Sequence, residues 1–496
     1  MPVVLQAFRF ELDPSNVVSS ALASHAGGAR FAYNWGLRLV NSRRSQRRRV
    51  AEQAMCEGGS EREAWALADA SVKVPTSLAA LRREWNEAKH IEAPWWAENS
   101  KECYSSGLDG LARGLKAYYD SKAGRRKGPR VGWPKPRKLG GHRRFRVTPG
   151  SFGVVDGRHV RLCRIGIIRT KEPTTKLGGL VDAGTARILS ATVSEHAGRW
   201  YVSFGCEVDR PQNGPADRLK AVGVDVGVSH LAVCSTAVVG VTEADGTVPN
   251  PKHLNRWARR QARLGRELSR RRGPAGRESP PSKRWKHTKA RLARCHTTVA
   301  NARADGLHKL TTGLARSCVT VVVEDLAVAG MTRAGTGKTK RDKAGLNRAI
   351  LDASPAELRR QLAYKTTWFG STLIVADRWY PSSKTCSACK AVKAKLPLAC
   401  RTYRCDHCGL VLDRDRNAAS NLASLAETVA TTGTASGAGT SQHTLANGRG
   451  EERSMGTPRC SSANRQDGTS PTRLDKTVTA TRQQVAPNPV LVGSDR

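Results

Sequence analysis

The sequence predicts a multidomain α+β protein: an N-terminal β-barrel with a helical insertion, an α/β domain with a metal-ribbon insert, and a C-terminal tail lacking stable structure. Three observations predict it. Short, turn-bounded strands give way after Ala221 to strands alternating with helices, the mark of an α/β unit. Two Cys-x-x-Cys pairs stand at ribbon spacing near the end of that unit. Residues 427–496 hold no Phe, Trp or Tyr and are rich in Thr, Ser, Gly and Ala, so they bury too little surface to offset chain entropy.

Charge narrows the function classes. Across 496 residues, 83 Lys+Arg against 42 Asp+Glu leave a formal net charge of +41. Self-repulsion on that scale opposes compaction unless a polyanion neutralises it, which makes nucleic acid the leading partner. No stretch approaches the ~18 consecutive apolar residues of a membrane span. The opening residues lack a basic segment followed by an apolar one, so a cytoplasmic protein is expected. The 13 cysteines are odd in number and mostly isolated, which suits metal binding better than a disulfide framework.

The elements follow in order. From Val4 to Leu12 apolar and polar residues alternate and stop at Asp13-Pro14, so residues 1–14 read as the first barrel strand. Residues 15–121 are polar, Ala-rich and studded with Trp35, Trp65, Trp85, Trp95 and Trp96, the pattern of several helices; Phe31, Tyr33 and Trp35 are expected to pack their core rather than stack on bases. Residues 122–215 hold the rest of the barrel. They open on 122–146, with 11 Lys/Arg and no acid, which favours a phosphate-contacting loop over a solvated linker. Short strands are then expected at 154–155, 159–162, 165–168, 189–193 and 199–204.

Residues 216–381 form the α/β domain. It includes a basic helical arm, 252–316, whose first part, 252–294, carries 16 Lys/Arg against two acids and is broken near Gly273-Pro274 and Pro280-Pro281. A solvated helix face mixes signs to gain i,i+4 pairs, so this one-sided charge again points to phosphates. Ser354-Pro355-Ala356-Glu357 predicts a capping box with Pro in the first helical turn, and Leu358 and Leu362 packed inward. Gly335-Thr336-Gly337-Lys338-Thr339 looks like the end of a phosphate-binding loop, but the motif's first glycine would fall on Thr332, which argues against ATP. Residues 382–409 are the ribbon, 410–426 the last α/β segment and 427–496 the tail.

Three acids stand out. In Gly223-Val224-Asp225-Val226-Gly227 an acid ends an apolar strand, costly unless something cationic neutralises it. The run Val319 to Val323 ends in Glu324-Asp325; alternation along a strand sends one inward, and Glu324 is the site candidate with Asp325 facing solvent or supporting it. In Asp413-Arg414-Asp415 the first acid suits a helix N-cap, which frees Asp415 to face a metal. Gathered at one end of a sheet, the three would hold two Mg²⁺ or Mn²⁺ and position water on a phosphodiester. Cys386-x-x-Cys389 and Cys405-x-x-Cys408, fifteen residues apart, have the spacing of a tetrahedral Zn²⁺ site. Four thiolates close the shell, so that zinc would be structural. Cys400 or His407 could substitute, without keeping the paired knuckles.

Taken together, Gly223-Val224-Asp225-Val226-Gly227, Val323-Glu324-Asp325-Leu326, Pro381-Ser382-Ser383-Lys384-Thr385-Cys386-Ser387-Ala388-Cys389, Cys405-x-x-Cys408-Gly409 and Asp413-Arg414-Asp415-Arg416-Asn417-Ala418-Ala419 resemble the TnpB family of transposon-encoded, RNA-guided DNA endonucleases, relatives of compact type V CRISPR nucleases. The resemblance covers about residues 1–425. It implies a wedge-like barrel, a helical recognition region and a RuvC-like, RNase H-type nuclease with Asp225, Glu324 and Asp415 as metal ligands. It also implies a guide RNA from the transposon end, and single- and double-stranded target DNA, with pairing rather than side chains reading sequence. A DNA-binding repressor that does not cut and a strand-transfer transposase are the alternatives; the three intact acids disfavour the first and the inserted ribbon the second.

Overall fold

The computed structural model describes residues 3–148, 150–210, 217–275, 279–335, 340–397 and 399–432. Strand β1 (Val3–Glu11) turns Phe8 and Phe10 inward and leaves its alternate residues exposed. The chain then departs into α1 (Asn16–Cys56), α2 (Glu61–Ser71), α3 (Leu78–Glu92), a 3-10 turn at Pro94–Glu98, and α4 (Lys101–Lys122). All four α-helices start on a serine, Ser15, Ser60, Ser77 or Ser100, whose side chain accepts a first-turn backbone N–H. Trp35 meets Trp85 edge-on, and Phe31 meets both Trp85 and Trp95 in the same way. The aromatic run is therefore core, as the burial preference of aromatic side chains predicts.

The chain returns through β2 (Arg144–Val147), β3 (Gly153–Val154), β4 (His159–Leu162), β5 (Gly166–Arg169), α5 (Thr175–Asp182), β6 (Ala186–His196) and β7 (Arg199–Asp209). β1 pairs antiparallel with β7 from Val3↔Asp209 to Glu11↔Tyr201, so the helical block is an insertion between paired strands. The expected barrel takes the form of two sheets, β1-β7-β6-β2 and β3-β4-β5, bridged at Leu12 and Thr170 and sharing one core with α1, α3 and α4. Two elements escaped the sequence: α5, and β2, which hides inside the basic stretch because only Phe145 and Val147 turn inward.

The basic stretch itself is laid as a strap over the helices. Trp133 Nε1 donates to Asn41 Oδ1 at 3.0 Å, under the Arg44 guanidinium at 4.0 Å, and Asn34 holds the Arg137 backbone from both sides (2.8 and 3.0 Å). Lys135 and Lys138 remain exposed.

The α/β domain comprises β8 (Leu219–Asp225), β9 (His230–Cys234), β10 (Thr247–Pro249), α6 (His253–Ser269), α7 (Lys283–Ser317), β11 (Cys318–Glu324), α8 (Val328–Met331), α9 (Lys340–Ala353), α10 (Pro355–Phe369), β12 (Thr372–Ala376), β13 (Thr402–Arg404), β14 (Val411–Asp413) and α11 (Arg414–Thr432). Its sheet runs β10-β9-β8-β11-β12, with β8, β11 and β12 parallel. Alternation along β11 decides which helix covers which face: Val321 and Val323 pack on α7 and α10, and Val322 packs on Leu422 of α11. The arm is the α6–α7 pair, broken where its prolines predict. Buried Asp352 fastens it, accepting from Arg303 at 2.7 Å and from the Leu254 backbone N–H at 2.9 Å.

Two expectations need correction. Ser354 takes a left-handed backbone (φ 53°), its hydroxyl donates back to Leu351 O, and Glu357 pairs with Arg360, so no capping box forms; Pro355 does open α10, and Leu358 and Leu362 are buried. The tail was expected from residue 427, yet α11 runs on to Thr432. Residues 433–496, and 336–339 of the rejected phosphate loop, lie outside the described residues. Among the described residues no helix is long and apolar enough to cross a membrane.

Candidate functional site

Asp225 and Glu324 end adjacent parallel strands. The β8–β11 register runs to Val323↔Val224, so the next residue on each strand carries an acid, side by side at the carboxyl edge of the sheet, where open α/β sheets bind ligands. Asp415 arrives from the first turn of α11. Asp413 Oδ1 accepts the backbone N–H groups of Asp415 (2.9 Å) and Arg416 (3.1 Å), the capping role expected of it, and this leaves the Asp415 carboxylate unspent. Burial, then the negative charges of Glu324 and Asp415, push the Asp225 carboxyl up to about 8, with Arg414 pulling the other way. The fold thus brings Glu324 and Asp415 within electrostatic reach of Asp225. Asp325 points elsewhere: Arg359 and Arg378 grip it and hold its carboxyl below the usual range.

The sequence reading missed what seats α11. Gly223 lies under the helix so closely that a Cβ there would stand 2.0 Å from Ala419 O and 2.5 Å from Ala423 N. Buried Asn421 donates to Ser382 O (2.9 Å) and Thr385 O (2.6 Å). Buried Asn417 donates to Thr385 O (2.7 Å) and accepts from Ser387 N (3.0 Å). The Ser382 hydroxyl in turn donates to Glu324. The helix bearing Asp415, the loop touching Glu324 and the first cysteine knuckle are thereby tied together. Asparagines four residues apart on the apolar face of an Ala-rich helix were the available signal.

The thiols close on one point. Cys386 Sγ lies 3.6 Å from Cys408 Sγ, Cys389 Sγ lies 3.5 Å from Cys405 Sγ, and all four lie within 4.8 Å of one another. Tetrahedral Zn–S bonds of ~2.3 Å place sulfurs about 3.8 Å apart, so the set fits a structural zinc. Backbone N–H groups of Cys408 and His407 draw the Cys405 thiol down to about 6, favouring the thiolate a metal requires. Neither Cys400 nor His407 belongs to the cluster. The carboxylate oxygens are not drawn as tight as the sulfurs.

The chain is similar to known proteins over most of its length. Residues 203–335 match the OrfB family of IS605 elements, described as a probable transposase, and residues 356–422 match the Cas12f1-like TNB domain. A Mycobacterium tuberculosis protein named as an RNA-guided DNA endonuclease is 37% identical over 437 residues, spanning 84% of this chain and 86% of the relative. The chain belongs to the TnpB family. A Streptomyces pristinaespiralis protein of the same description is 33% identical over 424 residues, covering 85% of this TnpB-family chain and 89% of its own length. A solved Cas12f1–sgRNA–target DNA complex is 13% identical, with a TM-score of 0.44 over 85% of this chain and 99% of that one. Residues 1–49 match the helix-turn-helix domain of the same family; in this TnpB-family chain they form β1 and most of α1.

Proposed function

We propose that this chain is a transposable-element-encoded, RNA-guided DNA endonuclease that hydrolyses target phosphodiester bonds at Asp225, Glu324 and Asp415 with Mg²⁺ or Mn²⁺. The ribbon zinc is structural. The observation carrying the proposal is the convergence of three acids from distant segments onto one sheet edge, with Asp225 destabilised as an anion by burial and then by the charges of the other two. That is a frustrated arrangement for a protein alone, and hard divalent cations with oxygen preference relieve it. When bound, such cations supply an activated water and steady the charge on the phosphate.

The chain's own residues do the rest. Asp225 and Glu324 are held by strand register, and Asp415 is held by the seat of α11 on Gly223. Ser382 fixes the Glu324 rotamer through its hydroxyl. Arg359 and Arg378 keep Asp325 out of the group. The strap over α1 and α4 and the α6–α7 arm present cations to a guide RNA from the transposon end and to target DNA, whose pairing sets sequence choice. The working location is the cytoplasm, at the nucleoid.

Asp225→Ala tests the reading. The variant is expected to lose Mg²⁺-dependent cleavage of guide-matched DNA while retaining RNA affinity; cleavage at the wild-type rate overturns it.

A further inference from the structure

At the opposite edge of the α/β sheet lies a second site. A cavity of about 280 Å³ opens between the β1–β7 sheet and the helices α7 and α10, with Lys176, Arg210 and Arg316 facing Tyr364, Trp368 and Phe369. The Arg210 guanidinium lies 4.8 Å from the Trp368 ring centre and 5.6 Å from that of Phe369, and Arg316 lies 4.9 Å from Phe369. Arg210 donates once, to Gln6 Oε1 at 2.6 Å, but its Nε is buried without a partner. At one side, buried Lys365 is held by neutral oxygens of His308, Thr311 and Thr312. Among the described residues no carboxylate lines the cavity.

Stacking of cations on rings would by itself glue the N-terminal sheet to α10, and that accounts for Arg210 as far as its Gln6 bond. It does not account for an orphaned guanidinium N–H, nor for further cations gathered without an acid. Lys365 has the field of Glu357, and Lys176 and Arg316 are exposed, but half-buried Arg210 is stabilised by a counter-charge only if one is brought to it: among the described residues no acid pairs with it. The missing partner is an anion, and the aromatic wall suits a flat ring attached to it.

Position selects the source. Arg210 precedes β8, Arg316 precedes β11 and Phe369 precedes β12, so the cavity sits at the amino ends of the parallel strands. Asp225 and Glu324 sit at the carboxyl ends of β8 and β11, about 20 Å away for a seven-residue strand at ~3.3 Å per residue. A phosphate held here is therefore not one being cut.

We propose that this cavity binds one nucleotide unit of the chain's RNA, its phosphate between Arg210, Arg316 and Lys176 and its base against Tyr364 and Trp368. The inference rests on the RNA-binding reading above. The test uses the full chain and the RNA that co-purifies with it, re-isolated and end-labelled, with dissociation constants measured over a salt series. Arg210→Gln and Arg316→Gln are each expected to weaken binding about five-fold and to shallow the log–log salt slope by about 0.7, the loss of one single-strand phosphate contact. Trp368→Leu should weaken binding about ten-fold with the slope unchanged. Arg316 is exposed, so its variant remains informative should Arg210→Gln or Trp368→Leu lower the melting temperature.

Folded variants that bind within two-fold of wild type, with the same slope, overturn the assignment. Protection of the RNA-free chain from heat by millimolar uridine monophosphate, lost in Arg316→Gln while RNA affinity stays unchanged, overturns it in favour of a free nucleotide. A wild-type chain that holds no RNA at all defeats the proposed function itself, and is distinguished from the other outcomes by that alone.

Discussion

The thiol site and the carboxylate site meet at the start of α11 and are built on opposite plans. The thiols come from two knuckles between Cys386 and Cys408, and they converge through short turns and the β13–β14 hairpin with little help from the rest of the chain. The carboxylates come from residues 225, 324 and 415, and they converge only because two strands share a register and a helix is pressed onto one of them at Gly223. The thiol cluster is closed, with no position left for a substrate. The carboxylates bring like charge together at a sheet edge, around a buried Asp225. A local site holds a fold together, whereas an assembled site reports whether the fold is intact.

That contrast can be broken in several ways. The largest effect is expected at the ribbon. Cys386→Ser or Cys405→Ser, at the two buried thiols, should take bound zinc from one equivalent to none by elemental analysis, with loss of the ribbon's structure, because structural zinc contributes on the order of 10 kcal/mol. Gly223→Ala comes next. Its methyl group cannot fit under Ala419 O, so α11 must shift by about an ångström; cleavage should fall about 100-fold while zinc content stays at one equivalent. If zinc is lost as well, the two sites are not separable in the way described.

Asn421→Ala removes both hydrogen bonds to the Ser382–Thr385 loop, and should cost about 1–3 kcal/mol in denaturant unfolding together with a slower cleavage rate. The smallest effect is one of sign. The folded state raises the Asp225 carboxyl from its ordinary range to about 8, so the folded chain binds that proton more tightly than the unfolded one. Metal-free stability contributed there is complete below about pH 4 and is lost as pH rises toward 8. Asp225→Asn should therefore raise the metal-free melting temperature by a few degrees at pH 8 and change it little at pH 4. At the ribbon the matching removal of a ligand lowers stability.

The difference between the sites also explains what the sequence disclosed. The ribbon was legible residue by residue because its geometry is encoded in spacing alone. The acids were legible as candidates because each ends an apolar strand or begins a helix. Their supports were not: Gly223 reads as a small residue in a strand until the helix above it is known, and Ser382 meets Glu324 across a sheet. The capping box at Ser354 was misread for a related reason, since the preceding turn fixes a left-handed backbone that local pattern does not reveal. The basic strap was legible as charge, but its docking through Trp133 and Asn34 depends on helices a hundred residues earlier.

The central claim is that Asp225, Glu324 and Asp415 act as one cation site. Manganese binding to the zinc-loaded chain at pH 8, followed by electron paramagnetic resonance alongside Asp225→Asn, Glu324→Gln and Asp415→Asn, addresses it most directly. The account predicts Mn²⁺ bound by the wild type, with protons released on binding, and loss of that binding in each single variant. Variants that retain wild-type Mn²⁺ affinity would contradict it.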